Sequence, residues 1–336
     1  MTAPAPPPPL PRPALDSHTH LDMIDLPVDD VMAAARAAGV VRAITVGTDL
    51  ESSRWSARCA QDHDAVYAAV AIHPNDTERA TGPSRIPRDP RAPHVSGAQP
   101  PLPSSPPSST PSLSSTPSLL STPSLSSTPS APPATSAPPF TAAPAASAVP
   151  LTAVEVLAEI EALARQPRVV AVGETGLDYY RDHAAPDVQR WWFREHIKIA
   201  KRTGKALMIH DREAHADVLR ILAEEGPPPR VVFHCFSGDV AMVKQCAEAG
   251  YVMSFAGNIT FANAQPLRDA AAAAPPDLLL AETDAPFLTP VPNRGRPNAP
   301  AQVANTLRCL AEVQGLDLAE LCDTVTATAE RTFGPW

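Results

Sequence analysis

Few features of a secreted, membrane-spanning or nucleic-acid-coating protein occur in this 336-residue chain. No stretch carries the roughly 18 consecutive apolar residues of a membrane span, and the proline-rich start, Met1 to Pro13, lacks the apolar core of a signal peptide. A soluble, unexported protein that does not engage membrane is therefore expected. Basic residues do not dominate: 27 Lys and Arg against 36 Asp and Glu give a net charge of −9 and a pI near 5.6. This excludes an extended basic surface as the means of holding nucleic acid, so any phosphate binding has to be local. There is no Cys-x-x-Cys pair among Cys59, Cys235, Cys246, Cys309 and Cys322. Their odd number argues against a disulfide framework, and reduced thiols fit the cytoplasm. No G-x-G-x-x-G or Walker-type loop follows any apolar run, which disfavours an open, doubly wound nucleotide-binding sheet.

What is present falls into two kinds of sequence. From Ala92 to Val154 there is no Asp, Glu, Lys or Arg, and Ser, Thr, Pro and Ala dominate. Within it Ser-Thr-Pro-Ser recurs at 109, 115, 121 and 127. That period could suggest a hexapeptide β-helix, but a proline in every repeat removes a ladder donor and leaves no buried apolar row. Residues 82–150 are therefore expected to be a disordered low-complexity insertion, and residues 1–13 a disordered tail. The remainder, 14–81 and 151–336, is about the size of one (β/α)8 barrel, roughly 250 residues.

In that remainder short apolar or β-branched runs alternate with longer amphipathic ones. Strands are predicted over Ala14–Ser17, Val41–Val46, Val66–Ile72, Val169–Val172, Ala206–Ile209, Arg230–Phe233, Tyr251–Ser254 and Leu278–Ala281. Helical patterns between them include Val28–Ala38, Val154–Arg165, Asp187–Arg202, Ala214–Glu224 and Val240–Ala249. The alternation indicates a parallel sheet and its repetition a closed α/β TIM barrel, with the insertion in the loop after strand three.

Most strand candidates run into residues that can hold metal: strand one into His18-Thr19-His20, strand four into Glu174, strand five into His210, strand six into His234 and strand eight into Asp284. Taken singly, each has an ordinary reading. Glu174 could be a first-turn helix acid, and His210 and His234 hydrogen-bonded core histidines, since apolar runs precede both. Jointly, five strand ends delivering such residues to the C-terminal face of one barrel suit two divalent cations with open positions. Cys235, beside His234, is read as packing, because neighbours on a strand point to opposite sides. At least one of Trp191 and Trp192 is expected to face the barrel. Asp178 and Asp211 are either loop acids or partners that fix imidazole tautomers.

Four segments carry a resemblance: Asp16-Ser17-His18-Thr19-His20-Leu21-Asp22, Gly173-Glu174-Thr175-Gly176-Leu177-Asp178-Tyr179-Tyr180, His234-Cys235-Phe236-Ser237-Gly238, and Glu282-Thr283-Asp284-Ala285-Pro286-Phe287-Leu288. In content and order they resemble the TatD family of metal-dependent deoxyribonucleases, within the amidohydrolase superfamily, over about Leu15 to Phe333. The resemblance implies that His18, His20 and Asp284 hold one ion and His210 and His234 the other, with Glu174 between them. It implies that Asp284 also orients or deprotonates the attacking water, and that His73, in Ile72-His73-Pro74, lies near the substrate phosphate; an ordinary loop histidine is the alternative. The chain departs from the pattern at Ala262, where relatives commonly carry lysine, at Ala299, where they often have glutamate, and at Ala329, a frequent asparagine. Arg212, Arg294, Arg296 and Arg181 remain as candidate phosphate partners, with an ordinary surface role as the default for each.

Three functions are open at this point. The first is metal-dependent hydrolysis of DNA phosphodiesters, exonucleolytic, on single-stranded or frayed ends, because a barrel mouth admits a strand terminus more readily than a duplex. The second applies the same metal pair to an acyl bond, as in an aminoacyl-tRNA deacylase or an amidohydrolase. The third is a non-catalytic scaffold that docks protein partners through the proline-rich insertion. Zn, Mg and Mn all suit a set of imidazoles and carboxylates.

Overall fold

A computed structural model describes residues 6–80, 151–181 and 183–336; the insertion expected over 82–150 lies outside them. The described chain contains eight strands: β1 (Ala14–Thr19), β2 (Val40–Val46), β3 (Val66–Val70), β4 (Val169–Asp178), β5 (Ala206–Arg212), β6 (Val231–Phe233), β7 (Val252–Phe255) and β8 (Leu279–Ala281). Helices α1 (Val28–Ala37), α2 (Leu50–Asp62), α3 (Ala153–Ala164), α4 (Pro186–Thr203), α5 (His215–Glu225), α6 (Val240–Glu248) and α7 (Gln265–Ala273) connect successive strands. Helices α8 (Val303–Gln314) and α9 (Leu318–Phe333) follow the last strand. The sheet order is sequential from β1 to β8 and all pairings are parallel. The β8/β1 seam is nearly closed. A parallel bridge joins Thr19 to Ala285, the buried Asp16 carboxylate accepts from Thr283 N–H and Oγ1–H, and Ser17 Oγ donates to the Ala281 carbonyl.

Strands covered on both faces become continuously apolar, and β3 is buried at every position. Alternate residues then separate two layers. Leu15, Ile44, Val46, Tyr67, Ala69, Val170, Met208, Val232 and Leu280 fill the barrel interior together with Ala329 and Phe333 of α9. The second layer packs strands against helices and includes Trp192, which is 1% exposed, while Trp191 is partly buried against it. Ala329, where the resemblance led to asparagine, is thus an interior residue at the base of the barrel.

Two corrections to the sequence reading concern boundaries. Glu174 does not end β4 but lies within it: the pairing with β5 continues through Gly176↔His210 to Asp178↔Arg212. The Gly-Glu-Thr-Gly composition reads as a loop, yet Gly176, at φ 140°, is what permits the ladder, since a Cβ there would collide with the His210 carbonyl oxygen. The expected tail is likewise held against the barrel from residue 7, which is buried. Leu10 is buried over Gly39, its N–H donates to Ala38 O, and Arg308 donates to the carbonyls of Pro8 and Pro9. Proline lacks a donor, but its carbonyl still accepts.

Candidate metal centre

Alternation along the strands delivers the polar groups. The inward series Ala206, Met208 on β5 continues to His210, and Val232 on β6 continues to His234. Two pairing slips add residues that simple alternation would turn away. Register shifts between Asp16 and Thr19 in β1 and between Val172 and Thr175 in β4 enclose His18 and Glu174. Through the first slip Ser17 and His18 both reach interior residues, Ser17 touching Ser254 and His18 touching Met208. Re-aiming a side chain is what a bulge does. Asp284 follows β8 with φ 52°, a left-handed backbone that is costly for a residue with a Cβ, and its N–H is tied to His18 O.

The six residues meet at the mouth. Glu174 divides them: its Oε1 lies 3.4 Å from His20 Nε2 and 3.8 Å from His18 Nε2, and its Oε2 lies 2.8 Å from His234 Nε2 and 3.2 Å from His210 Nδ1. Asp284 Oδ1 joins the first pair at 3.5 Å from His20 and 3.7 Å from His18. Donors bound at about 2.1 Å in tetrahedral array around one cation stand about 3.4 Å apart. That spacing suits a cation among His18, His20, Asp284 and one Glu174 oxygen, while His210 and His234 converge on the other oxygen and His234 also stacks on His18 at 3.9 Å, so that His18, Glu174 and His234 form a metal-capable group as well.

The far nitrogen of three imidazoles is held by an acceptor, so that in the neutral, ligand-ready form the inward nitrogen is the one with the lone pair. His20 Nδ1 donates to Val46 O at 2.9 Å, His210 Nε2 to Asp178 Oδ2 at 3.2 Å and His234 Nδ1 to Glu282 Oε1 at 3.2 Å. Asp178 is thereby one of the tautomer-fixing acids, further held by Asn75 and the N–H groups of Tyr180 and Arg181. Asp211 instead pairs with His215 at 2.8 Å. His73, Asp178 and His210 also cluster closely, but the lone pairs of Asp178 are already engaged by those donors.

Electrostatically three of the four imidazoles favour positive charge, and His18 does not: burial first, then the neighbouring His234, push it well below its ordinary value. Burial opposes protonation of His20, but the hydrogen bond to Asp284 and the charges of Glu174 and Asp284 outweigh it and raise its pKa to about 9. His210 and His234 are raised against the same burial by Asp178, Glu174 and Glu282. Burial opposes ionisation of Glu174, yet the surrounding histidines hold it well below the usual carboxylate range. Four acids thus draw cations inward, a demand that protons meet here and divalent ions could meet equally. His73 is pushed down to about 3, by burial first. Its Nδ1 accepts from Asn75 N–H, so its neutral Nε2–H points toward Glu174, at 3.8 Å.

A cleft of about 770 Å³ opens over the cluster, lined among others by His73, Arg181, Arg212 and Asp284. Arg294 and Arg296 are exposed and do not line it; Arg294 lies 4.2 Å over the Phe261 ring. Cys235 does line it, which corrects its reading as packing: it lies past the end of β6 at φ 42°, where strand alternation no longer applies. All five cysteines are free thiols. Glu282 and Asn75 escaped notice in the sequence. The signal for Glu282 was there, since it continues the inward series of Leu280 toward Asp284.

A (β/α)8 barrel with a buried histidine–carboxylate cluster at its C-terminal mouth defines a metal-dependent hydrolase of the amidohydrolase type. The family model described as TatD related DNase matches residues 15–334, and the chain belongs to the TatD family. It is 36% identical over 329 residues to the uncharacterized metal-dependent hydrolase TatD of Mycobacterium tuberculosis, covering 95% of this chain and 97% of that one. It is 42% identical over 171 residues to the uncharacterized metal-dependent hydrolase YcfH of Escherichia coli K12, covering 51% of this chain and 64% of YcfH. Among solved structures, the TatD homolog YjjV of Escherichia coli superposes with a TM-score of 0.71 at 24% identity, covering 96% of this chain and 98% of that one. An uncharacterized amidohydrolase from Saccharomyces cerevisiae superposes at 0.65 and 16% identity, covering 96% and 100%; these likenesses concern the fold. No helix among the described residues is long and apolar enough to cross a membrane.

Proposed function

We propose that the protein hydrolyses phosphodiester bonds of DNA from a single-stranded or frayed end, using two divalent cations. The observation that carries this reading is the division of labour in Glu174, whose two oxygens face different imidazole pairs, His18/His20 and His210/His234. Bound there, such cations acidify water and neutralise the charge that develops on a phosphoryl group. The chain's own residues would do the rest. Asp284, at 15% side-chain exposure the most open carboxylate of the set, reaches the cleft and can accept the proton of an attacking water. The Nε2–H of His73 can donate to a phosphoryl oxygen, and its low pKa keeps it a neutral donor. Arg181 and Arg212 supply local positive charge in an acidic chain.

The test incubates the purified, metal-loaded protein with end-labelled single-stranded DNA and, in parallel, with aminoacylated tRNA. Metal-dependent release of nucleotides from the DNA is the expected result. Deacylation of the tRNA without cutting of DNA would move the protein to acyl chemistry, and inertness toward both with two metals bound would leave a docking role.

A further inference from the structure

The walls of the main cleft differ in chemistry. Strands β4 and β5 stand half a turn around the barrel from β8 and β1, so the loops that follow them face one another across the mouth. On the β4/β5 side the lining includes Arg181, His183 and Arg212 beside Asp178 and Asp211; on the β1/β8 side it includes Met23, Phe287 and Leu288 beside His20 and Asp284. Arg212 is set in place by its guanidinium lying 4.0 Å over the Tyr180 ring. The outer part of the opposite wall is apolar yet left open to solvent: Met23 is 43% and Phe287 52% exposed, and the same two loops also expose Leu26 and Val291. Large apolar side chains exposed at the rim of a polar cleft mark contact with a ligand.

Phe287 is also pre-positioned. Its N–H is bonded to Asp284 O, its carbonyl accepts from the buried Asn298 side chain, and its ring lies 6.3 Å from that of His20. The backbone turn that carries Asp284 therefore also fixes an exposed aromatic ring beside the first half of the cluster.

We propose that this apolar wall, with Phe287 at its centre, is a subsite for the base of the terminal nucleotide, while the arginine wall takes the phosphates. The assignment rests on the phosphodiester reading above. A base offers a flat apolar face to the ring and is joined to an anionic backbone, so one strand end satisfies both walls at once. Stacking tolerates any base, so the subsite recognises that a base is present without reading which one.

The experiment compares oligonucleotides that differ only in whether the terminal nucleotide carries a base, with the abasic position placed at either end. Hydrolysis is followed with metal-loaded protein, and equilibrium binding by fluorescence anisotropy with metals removed. The wild type should favour the base-bearing end about tenfold in KM and in Kd. Phe287→Ala should reduce that preference to near unity, and Phe287→Tyr, which keeps the ring, should retain it. Equal weakening of both substrates by Phe287→Ala, or no weakening of either, overturns the subsite. A wild type that binds with base preference but cuts neither oligonucleotide upholds the subsite and overturns the phosphodiester reading. One that neither binds nor cuts overturns both.

Discussion

At the base of the barrel Ala329 and Phe333 of α9 close an interior whose lining is apolar, and contact is its main support. At the mouth His18, His20, Glu174, His234 and Glu282 are each 5% exposed or less and are satisfied mainly by one another. The base is stabilised by burial of apolar area, at roughly 25 cal/mol per Å². The mouth must offset the desolvation of several ionisable groups, and nothing in packing requires that. That cost at the mouth, where left-handed Cys235 and Asp284 also occur, shows where chemistry takes precedence over stability. Substitutions at the mouth should therefore remove function from a folded protein, and those at the base should remove stability from a competent one.

The sharpest break in this contrast is Glu174→Ala. Both halves of the cluster depend on that carboxylate, so turnover should be abolished more completely than by loss of any one histidine. Elemental analysis should show metal falling at both positions while circular dichroism reports an intact fold. Two tightly held ions per chain in this variant would remove the bridge. Next in size is Asp284→Asn, which can still coordinate weakly but cannot accept a proton. Turnover at saturating metal should drop by orders of magnitude with substrate binding nearly unchanged, and near wild-type turnover would exclude Asp284 as the base.

The converse test lies at the other end. Phe333 is 3% exposed within the interior cluster, and Phe333→Ala should cost about 3 kcal/mol of stability. Denaturant unfolding should report that loss while kcat of the folded fraction and its metal content stay at wild-type values. A fall in kcat without a fall in stability would end the division between base and mouth. A smaller effect is expected from Asp178→Asn, which keeps the shape of the side chain but loosens the tautomer and orientation of His210. Metal affinity should fall about 10- to 100-fold, read by competition with a chelator, with little change in melting temperature.

The same division decides what was legible in the sequence. Apolar runs placed all eight strands, because a strand buried on both faces writes its burial directly into composition. The metal-capable residues were legible as a series of strand ends, and the structure brings all of His18, His20, Glu174, His210, His234 and Asp284 together. What escaped depends on backbone detail. The slips in β1 and β4, the length of β4 beyond Glu174 and the turn that brings Cys235 into the cleft follow from register and from single φ angles, which carry no periodic signal. Arg294 and Arg296 looked equivalent to Arg212 as charges, and only the path of the loop after β8 separates them from the cleft. The docking of Leu10 over Gly39 likewise depends on a long-range contact that a proline-rich composition conceals.

The smallest effect is expected where the sequence is longest and least like a core. Residues 81–150, which include the insertion expected over 82–150, separate Ala80 from Leu151 on the same mouth-side β3–α3 connection that supplies His73 and Asn75 to the cleft. The flanking structure has its own local supports. Thr77 Oγ1 donates to Pro74 O, and α3 is started by a reciprocal cap in which Thr152 Oγ1 accepts from Glu155 N–H while the Glu155 carboxylate accepts from Thr152 N–H at 2.7 Å. Neither support uses a residue of the insertion. Ser, Thr, Pro and Ala, with no charged residue from 92 to 150, offer little apolar area to set against the entropy of ordering, and lengthening an exposed loop costs only about 0.6 kcal/mol per doubling. Replacing 82–150 by a short Gly/Ser linker should therefore leave melting temperature, metal content and hydrolysis of short oligonucleotides close to wild type, and change only the access of large substrates or the binding of protein partners. Insolubility or loss of metal in the shortened protein would mean that the insertion belongs to the architecture of the mouth, and the contrast would then lie among three regions instead of two.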